Sequence, residues 1–532
     1  MLSLQQISSI LDRAAHQDIT PEVYRHPTEY EVRWNEPPVL PTSEYHLAHP
    51  KFPLPILKPF KLKPHQLRVI QQQRHMELHP HEGSVRGCIF DLEMGLGKTL
   101  SALAHVLATH GVDKRPSLFL CEPKILHVIV HEAHKFFADH CRLVVYKRGA
   151  FLGKHLRSGY HILLMTYDDF TALAHTHGWL PHRKSKPRHA PEAKGILESP
   201  WARIIVDESQ KLRNVTTDLF QSLAKMKPGY RLCLSGTPMR TPDDYPDLFA
   251  QLAFCGLQQL PERVQQTKDH FLQRGLHRCV VSMTYQSVGL QMPQMTEHYV
   301  EVKLDDQEKA FYNTLLKEFK TLLNPHKGSL NMGKKKLNTN TMYLRLRQMC
   351  VAPYLVRDHP GAPEWTKIRS VFSSKIRTLC VLTRRTSPKA KILVFTEWTE
   401  ASKLTAEALR ATHPDGSVHH LDSHTADPDH VLNLFYTDPR SRILVATYVA
   451  AKGLNLSAAN YCFLMEPRWC QDLKEQAYHR VFRIGQQRDV MVINLVVAGT
   501  AEYKLTEMSK DAIPELQTAK ATTEVMRRSV QP

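Results

Sequence analysis

Nowhere in the 532-residue chain does an uninterrupted apolar run approach the roughly 18 residues that a membrane-spanning helix needs. The opening stretch MLSLQQISSILDRAAHQD is polar throughout and has no apolar core, so it reads as no secretory signal. None of the ten cysteines forms a Cys-x-x-Cys pair, which argues against a zinc finger or RING insert. No fixed-period repeat is visible, so a solenoid is set aside. What cysteine there is sits partly inside apolar runs, at Cys88, Cys121, Cys233 and Cys462, where a reduced, buried thiol is the default. That usage points to a reducing compartment, the cytosol or the nucleus.

The composition is otherwise ordinary for a globular protein, with 42% hydrophobic and 23% charged residues. At about 150 residues per domain, the length allows three or four domain-sized units. Lys and Arg number 70 against 52 Asp and Glu, a net charge of +18. That excess suits an anionic partner, nucleic acid or a membrane surface, or simply a basic surface; charge alone does not choose.

Along the chain, Leu2 to Ala15 has the pattern of an amphipathic helix, and eight prolines between Pro37 and Pro64 predict an extended lead-in. Apolar strand-like runs then alternate with helical patterns, which predicts parallel sheets covered by helices. The runs are Cys88–Phe90, Ser117–Cys121, Ile162–Met165, Ile204–Val206 and Leu232–Leu234, then Ile392–Phe395, His419–Leu421, Ile443–Ala446, Tyr461–Met465 and Val490–Val497. A stretch of helical periodicity separates the two groups, with an acid-free basic segment from Gly328 to Cys350 that contains Lys334, Lys335 and Lys336. A second basic stretch holds Arg183, Lys184, Lys186 and Arg188. Each is equally a nucleic-acid contact, a solvated loop or a weak nuclear-import signal.

The segment GCIFDLEMGLGKTLSALAHVLATH is a short strand, a Gly-rich turn and a helix with Leu103, Val106 and Leu107 on one face. Gly95 and Gly97 let backbone N–H groups close around phosphates, with Met94 and Leu96 between and beside them. Lys98 would neutralise the β- and γ-phosphates, and the Thr99 hydroxyl would ligate Mg²⁺. Leu92 occupies the first Gly position of the strict phosphate-loop pattern. Downstream, WARIIVDE is an apolar strand ending in two acids, which would point into the ligand crevice of an open α/β sheet. Asp207 would hold Mg²⁺ through water, and Glu208 would polarise the attacking water as general base.

Further segments follow in order: LKPHQ (Leu62–Gln66), DLEMGLGKT (Asp91–Thr99), MTYDDF (Met165–Phe170), IIVDESQKLRN (Ile204–Asn214), LSGTP (Leu234–Pro238), LRQMC (Leu346–Cys350), ILVFTEW (Ile392–Trp398), AAKGLNLSAAN (Ala450–Asn460) and EQAYHRVFRIGQ (Glu475–Gln486). With these segments, residues 60–500 resemble the Swi/Snf-like ATPases of helicase superfamily two. The resemblance implies an α/β fold of two tandem RecA-like lobes with helical insertions between them. The expected layout is an N-terminal helix and lead-in (1–60), the ATP-binding lobe (61–260), a helical insertion (261–370), the second lobe (371–505) and a tail (506–532).

The resemblance also implies roles. Gln66 would read adenine, since its amide offers both donor and acceptor. Gln210, Ser235, Gly236 and Thr237 would couple the nucleotide site to DNA movement. Gly453 and Asn455 would line the interlobe seam as part of the nucleotide site. Arg480 and Arg483 would be arginine fingers; three apart, they share a face if helical. The implied activity is an ATP- and Mg²⁺-dependent motor on duplex DNA, nucleosomal DNA among the candidates, acting in the nucleus in chromatin remodelling, protein displacement, DNA repair or transcription. No membrane is implied, and protein partners are not legible. The insertion at 171–200 and the WARIIVDES context resemble the postreplication-repair branch. A strand-separating helicase and a turnover-deficient nucleotide-binding adaptor are the alternatives. The adaptor is motivated by departures from the family pattern: Leu92 for an acid, Ser209-Gln210 for a small residue plus His, Arg240-Thr241 for Gln-Asn, Ser282-Met283 near an Arg pair, and Arg468 and Cys470-Gln471 for Trp and Asn-Pro.

Overall fold

In the computed structural model the described residues are 61–78, 87–110, 112–147, 159–180, 191–238, 245–256, 279–323, 332–451, 454–467 and 477–503. They divide into two compact units, one ending at Gln291 and one beginning at Met292. The expected helix Leu2–Ala15, the proline-rich lead-in up to Phe60, the basic residues Arg183–Arg188, and Arg240, Thr241, Gly453, Arg468, Cys470 and Gln471 lie outside the described residues.

The N-terminal unit is built on β1 (Gly87–Leu92), β2 (Ser117–Cys121), β3 (Leu143–Val145), β4 (Ile162–Thr166), β5 (Arg203–Asp207), β6 (Tyr230–Ser235) and β7 (Val280–Met283). Among the described residues they form one parallel sheet in the order β3-β4-β2-β5-β6-β1-β7. β2, β4 and β5 are buried along their whole length. Their near-continuous Val, Ile and Leu content follows from having both faces covered by helices. Each fully buried aliphatic side chain here contributes about 1.5–3 kcal/mol. Local signals start the helices: the Thr166 hydroxyl caps Tyr167–Thr176 by accepting from the Asp169 N–H, and Thr217 caps Asp218–Lys225 through Phe220 N–H.

The C-terminal unit contains β8 (Met295–Val302), β9 (Ile392–Thr396), β10 (Val418–Leu421), β11 (Ile443–Thr447), β12 (Tyr461–Leu464) and β13 (Val490–Val497). These too form a parallel sheet, ordered β10-β11-β9-β12-β13-β8. Helices Asp306–Leu323 and Met332–Val351 pack with Ser374–Arg384 over one apolar cluster that includes Phe311, Leu315, Leu346 and Leu379. The helix Ser374–Arg384 is capped by the Ser373 hydroxyl, and Pro428–Thr437 by Asp427 with Pro428 in its first turn.

The fold is thus α/β with two parallel sheets flanked by helices, the arrangement of tandem RecA-like lobes. Each of the ten anticipated apolar runs lies on a strand, Tyr461–Met465 overrunning β12 by one residue. Three strands were not anticipated: β3, β7 and β8. β7 pairs with β1 at one sheet edge and β8 with β13 at the edge of the other, so part of the stretch read as helical insertion is strand. Cys88, Cys121, Cys233 and Cys462 are buried and carry free thiols.

Candidate active site

In the N-terminal unit, β5, β6 and β1 are neighbours and run in the same direction, so their carboxyl ends share one edge of the sheet. Asp91 pairs in register with Ser235, and Asp207 with Leu234. Three segments far apart in sequence therefore meet there: the Gly-rich loop after β1, the two acids closing β5, and the Ser-Gly-Thr turn after β6. This is where open α/β sheets bind ligands.

The loop demands glycine. Gly95 and Gly97 have φ of 92° and 86°, a region that other residues rarely adopt. A Cβ on Gly97 would lie 2.3 Å from the Gln66 side-chain nitrogen, so the loop closes directly on that glutamine. The Gln66 Oε1 accepts from the Lys63 N–H at 2.9 Å, and Nε2 donates to the Leu96 carbonyl at 3.3 Å; a His65 ring nitrogen also meets that carbonyl at 3.1 Å. The helix Pro64–Leu78 that carries Gln66 is anchored from below. Arg203 of β5 donates to Glu77 through Nε (2.7 Å) and Nη2 (2.5 Å), both side chains being buried. The opposing charges of His105 and Arg203 hold the Glu77 carboxyl well below its ordinary range, overcoming the effect of burial.

Lys98 and Thr99 open the helix Lys98–His110. Lys98 Nζ donates to the Leu92 carbonyl at 2.7 Å, and a Cβ on Gly236 would lie 3.0 Å from it and 3.2 Å from Met94 Cγ. On the other side of the loop, β7 acts as a brace. The Glu93 N–H donates to the Met283 carbonyl at 2.9 Å, the Tyr285 N–H to the Glu93 carboxylate at 2.6 Å, the Ser282 hydroxyl to Asp91 at 3.0 Å, and the Tyr285 hydroxyl to the Met94 carbonyl.

The carboxyls around Lys98 are raised. Burial, then the adjacent Glu208 charge, pushes Asp207 up to about 7, with Lys98 opposing. Burial lifts Asp91 to about 6 against the Ser282 hydrogen bond and Lys98, and raises Glu93 as well. Buried carboxyls of this kind lack sufficient counter-charge, which a divalent cation supplies. The residues therefore suit Mg²⁺–ATP: a glycine loop with no room for a Cβ, a lysine at its end, a hydroxyl on the first helical turn and an under-neutralised aspartate. Bound there, Mg²⁺ would supply charge neutralisation on the phosphates, with Thr99 and Asp207 as its holders.

Glu208 adopts the left-handed conformation, φ 48° and ψ 53°, a strained position for a side-chain-bearing residue. Its carboxylate accepts from Gln210 Nε2; the Ser235 hydroxyl donates to Gln210 Oε1 at 2.8 Å, and the Thr237 N–H donates to the Ser235 hydroxyl oxygen at 3.0 Å. The chain of contacts joins Glu208 to the turn after β6. Gln210, a departure from the usual histidine, makes both ends of that bridge with one amide.

In the C-terminal unit, Asn455 Oδ1 accepts from the Ser457 N–H at 3.3 Å. Arg480 and Arg483 follow the helical residues Ala477 and Tyr478 but lie in a turn and a bend, so the condition for a shared helix face is not met. The Arg480 carbonyl is taken by the Leu456 N–H at 2.8 Å and the Arg483 carbonyl by Gln486 N–H at 2.9 Å, which ends the helical ladder. Gln486, given no role from sequence, donates to the Ser457 and Ala459 carbonyls at 3.0 and 2.7 Å and ties these two motif segments together. Lys334–Lys336 fall in the helix Met332–Val351, with their side chains outside the described residues.

Of the residues singled out from sequence, Gln66, Met94, Gly95, Leu96, Gly97, Lys98, Thr99, Asp207, Glu208, Gln210, Ser235, Gly236 and Thr237 gather at this one sheet edge. Tyr285 and Tyr167, whose hydroxyl donates to the Asp207 carbonyl, were missed. Tyr167 lies within the MTYDDF segment, which was the available signal.

A nucleotide loop and an Asp-Glu strand end on one parallel sheet, with a second parallel sheet carrying the Arg-rich motif, define a helicase-like ATPase. Residues 65–355, more than half of the chain, match the SNF2-related domain, and residues 374–485 match the helicase conserved C-terminal domain. The chain belongs to the SNF2-related family. It is 27% identical to Putative helicase 172L of Invertebrate iridescent virus 6, over 85% of this chain and 89% of that protein. It is 23% identical to the ISWI chromatin-remodeling complex ATPase ISW1 of Saccharomyces cerevisiae, over 84% of this chain and 39% of that protein. Among solved structures, the Sulfolobus solfataricus SWI2/SNF2 ATPase core in complex with dsDNA aligns at 23% identity over 88% of this chain and 97% of that one, with a TM-score of 0.38. No helix among the described residues is long and apolar enough to cross a membrane.

Proposed function

We propose that the chain is a DNA-dependent ATPase that translocates along duplex DNA, using Mg²⁺–ATP, to displace or remodel proteins bound there. The observation that carries the reading is the bridge from Glu208 through Gln210 and Ser235 to Thr237, which gives the hydrolytic acid a side-chain connection to the neighbouring turn. In this reading Lys98 binds the β- and γ-phosphates, Gln66 selects adenine, Glu208 orients water, and Arg480 and Arg483 offset charge on the transferred phosphoryl group. Gly453 and Asn455 belong to the same nucleotide function. The net charge of +18 supports a phosphate-backbone partner, gripped without base readout and released by salt. Chromatin, repair and transcription are all served by such a motor, and the nucleus is the proposed site of action; the match to a viral helicase also supports work on viral DNA.

The test is steady-state ATP hydrolysis by the wild type and Lys98→Ala, with and without duplex DNA. Stimulation by duplex DNA in the wild type, absent from the variant, is expected. Stimulation by single strands alone, or unwinding of a tailed duplex free of protein, would replace this reading with that of a strand-separating helicase. A wild type indistinguishable from Lys98→Ala would make the chain an adaptor.

A further inference from the structure

Behind the Glu208–Gln210–Ser235 bridge lies a second connection, made by a residue in none of the motifs. Gln251 sits on the helix Tyr245–Phe254 and is completely buried. Its Oε1 accepts from the Ser209 hydroxyl at 2.6 Å, and its Nε2 donates to the Pro238 carbonyl at 2.6 Å. Ser209 is also completely buried and directly follows Glu208. Pro238 directly follows Thr237. The amide orientation is fixed chemically, because a proline carbonyl only accepts. The two loops are thus joined twice, by Gln210 in front and by Gln251 behind, and the bridges attach at consecutive residues on the first loop.

Two buried hydrogen bonds from one amide define a single arrangement of the groups they join, since either partner left unpaired loses its full solvation. A displacement of the turn after β6 must therefore carry Ser209, and with it the strained Glu208 backbone, or break a buried pair. We propose that Gln251 is a positioning residue that locks the Asp-Glu loop to the Ser-Gly-Thr turn, so that the two move as one body and Glu208 stays aligned during DNA-stimulated hydrolysis. The proposal rests on the DNA-dependent ATPase reading and deepens it by adding a residue outside the recognised motifs.

The test uses the full chain, with Gln251→Leu, which nearly keeps volume and removes the bonds to Ser209 and Pro238, and Ser209→Ala, which removes one hydroxyl. The readouts are kcat with saturating duplex DNA, KM for ATP, binding of a fluorescent ADP analogue and the melting temperature. Gln251→Leu is expected to lower DNA-stimulated kcat about tenfold or more, as misplaced catalytic groups do. KM for ATP and ADP-analogue binding should stay within about twofold, because neither bond touches the phosphate loop. Ser209→Ala should lower kcat in the same direction, and the double variant should be no worse than Gln251→Leu alone. If Gln251→Leu fails to fold, Ser209→Ala decides the question. Unchanged kcat per folded molecule, or additive losses in the double variant, would overturn the proposal while leaving the ATPase reading intact. A wild type that shows no hydrolysis with DNA would instead overturn both.

Discussion

Two regions of the chain treat buried charge in opposite ways. At the carboxyl end of the N-terminal sheet, Asp91 is half-buried and Asp207 buried beside Lys98; removal from water pushes them up to about 6 and about 7, and the one lysine only partly opposes it. In the C-terminal unit, Lys375 and Glu502 have no exposed side-chain surface and form an ion pair at 2.5 Å. Lys375 also donates to the Met465 carbonyl at 2.8 Å, and the Glu502 oxygen that takes the lysine also accepts the Val497 N–H at 3.1 Å. The first region carries an electrostatic deficit that a bound cation would relieve. The second pairs its two charges with each other and holds the fold. Function and scaffold are thus distinguishable by whether buried charge is completed within the chain or left to a ligand.

Exchanging the two lysines' fates would break the comparison, and these are the largest effects expected. Lys375→Met leaves Glu502 buried and unpaired, at a cost of about 3–5 kcal/mol. In a unit of this size that lowers the melting temperature by about 10 °C, read by circular dichroism or scanning calorimetry. Lys98→Ala should abolish measurable hydrolysis, a loss of about 10²-fold or more, with a much smaller change in melting temperature. A Lys98 variant that melts as early as the Lys375 variant would show that both regions are scaffold.

Glu208→Gln sharpens the same contrast at intermediate size. Removing the proposed general base should lower kcat by about 10²-fold or more, with ATP-analogue binding retained. The substitution also deletes the like charge that raises Asp207. The melting temperature of the nucleotide-free variant should therefore equal or exceed that of the wild type. A clear fall in melting temperature would mean that the Glu208 carboxylate's bond from Gln210 contributes more to stability than its repulsion of Asp207 costs.

Much of this was legible in sequence because parallel strands buried on both faces leave unbroken apolar runs, and because the phosphate loop requires glycine, lysine and a hydroxyl at fixed offsets. Of the four edge strands, β10 was legible and β3, β7 and β8 were not. β3 is three residues long and only partly buried, and β8 alternates Glu297, Tyr299 and Glu301 with buried positions in a manner that does not announce a parallel strand. Nor were the long-range pairs: nothing in the local sequence of Gln66 announces that it touches Gly97, or in that of Gln251 that it meets Ser209 and Pro238. A shared face for Arg480 and Arg483 required them to be helical, and spacing of three cannot register that Arg480 lies in a turn, its carbonyl taken by the Leu456 N–H, and Arg483 in a bend. Spacing predicts neighbours only while regular structure continues.

Glu466 is the exception within the C-terminal unit and gives the smallest but most discriminating prediction. Its carboxyl is buried, accepts from the Thr396 hydroxyl at 2.5 Å and the Glu397 N–H at 3.0 Å, and is raised to about 7, chiefly by burial, with the Glu397 charge adding and Lys375 opposing. The folded value lies above the ordinary one near 4.5, so between these pH values the folded chain binds more protons than the unfolded chain. Stability therefore falls as pH rises from about 4.5 through about 7. Glu466→Gln can keep one acceptor for the Glu397 N–H and direct its amide N–H to the Thr396 oxygen, without a charge to bury. The expected result is a melting temperature that declines less steeply between pH 5 and 8, on the order of a few degrees, than that of the wild type, measured at fixed ionic strength without nucleotide. Parallel curves would place Glu466 with the completed pairs, as Lys375 and Glu502 are. A flattened slope would show that the second sheet also holds one incomplete charge at its strand ends, where Thr396 closes β9.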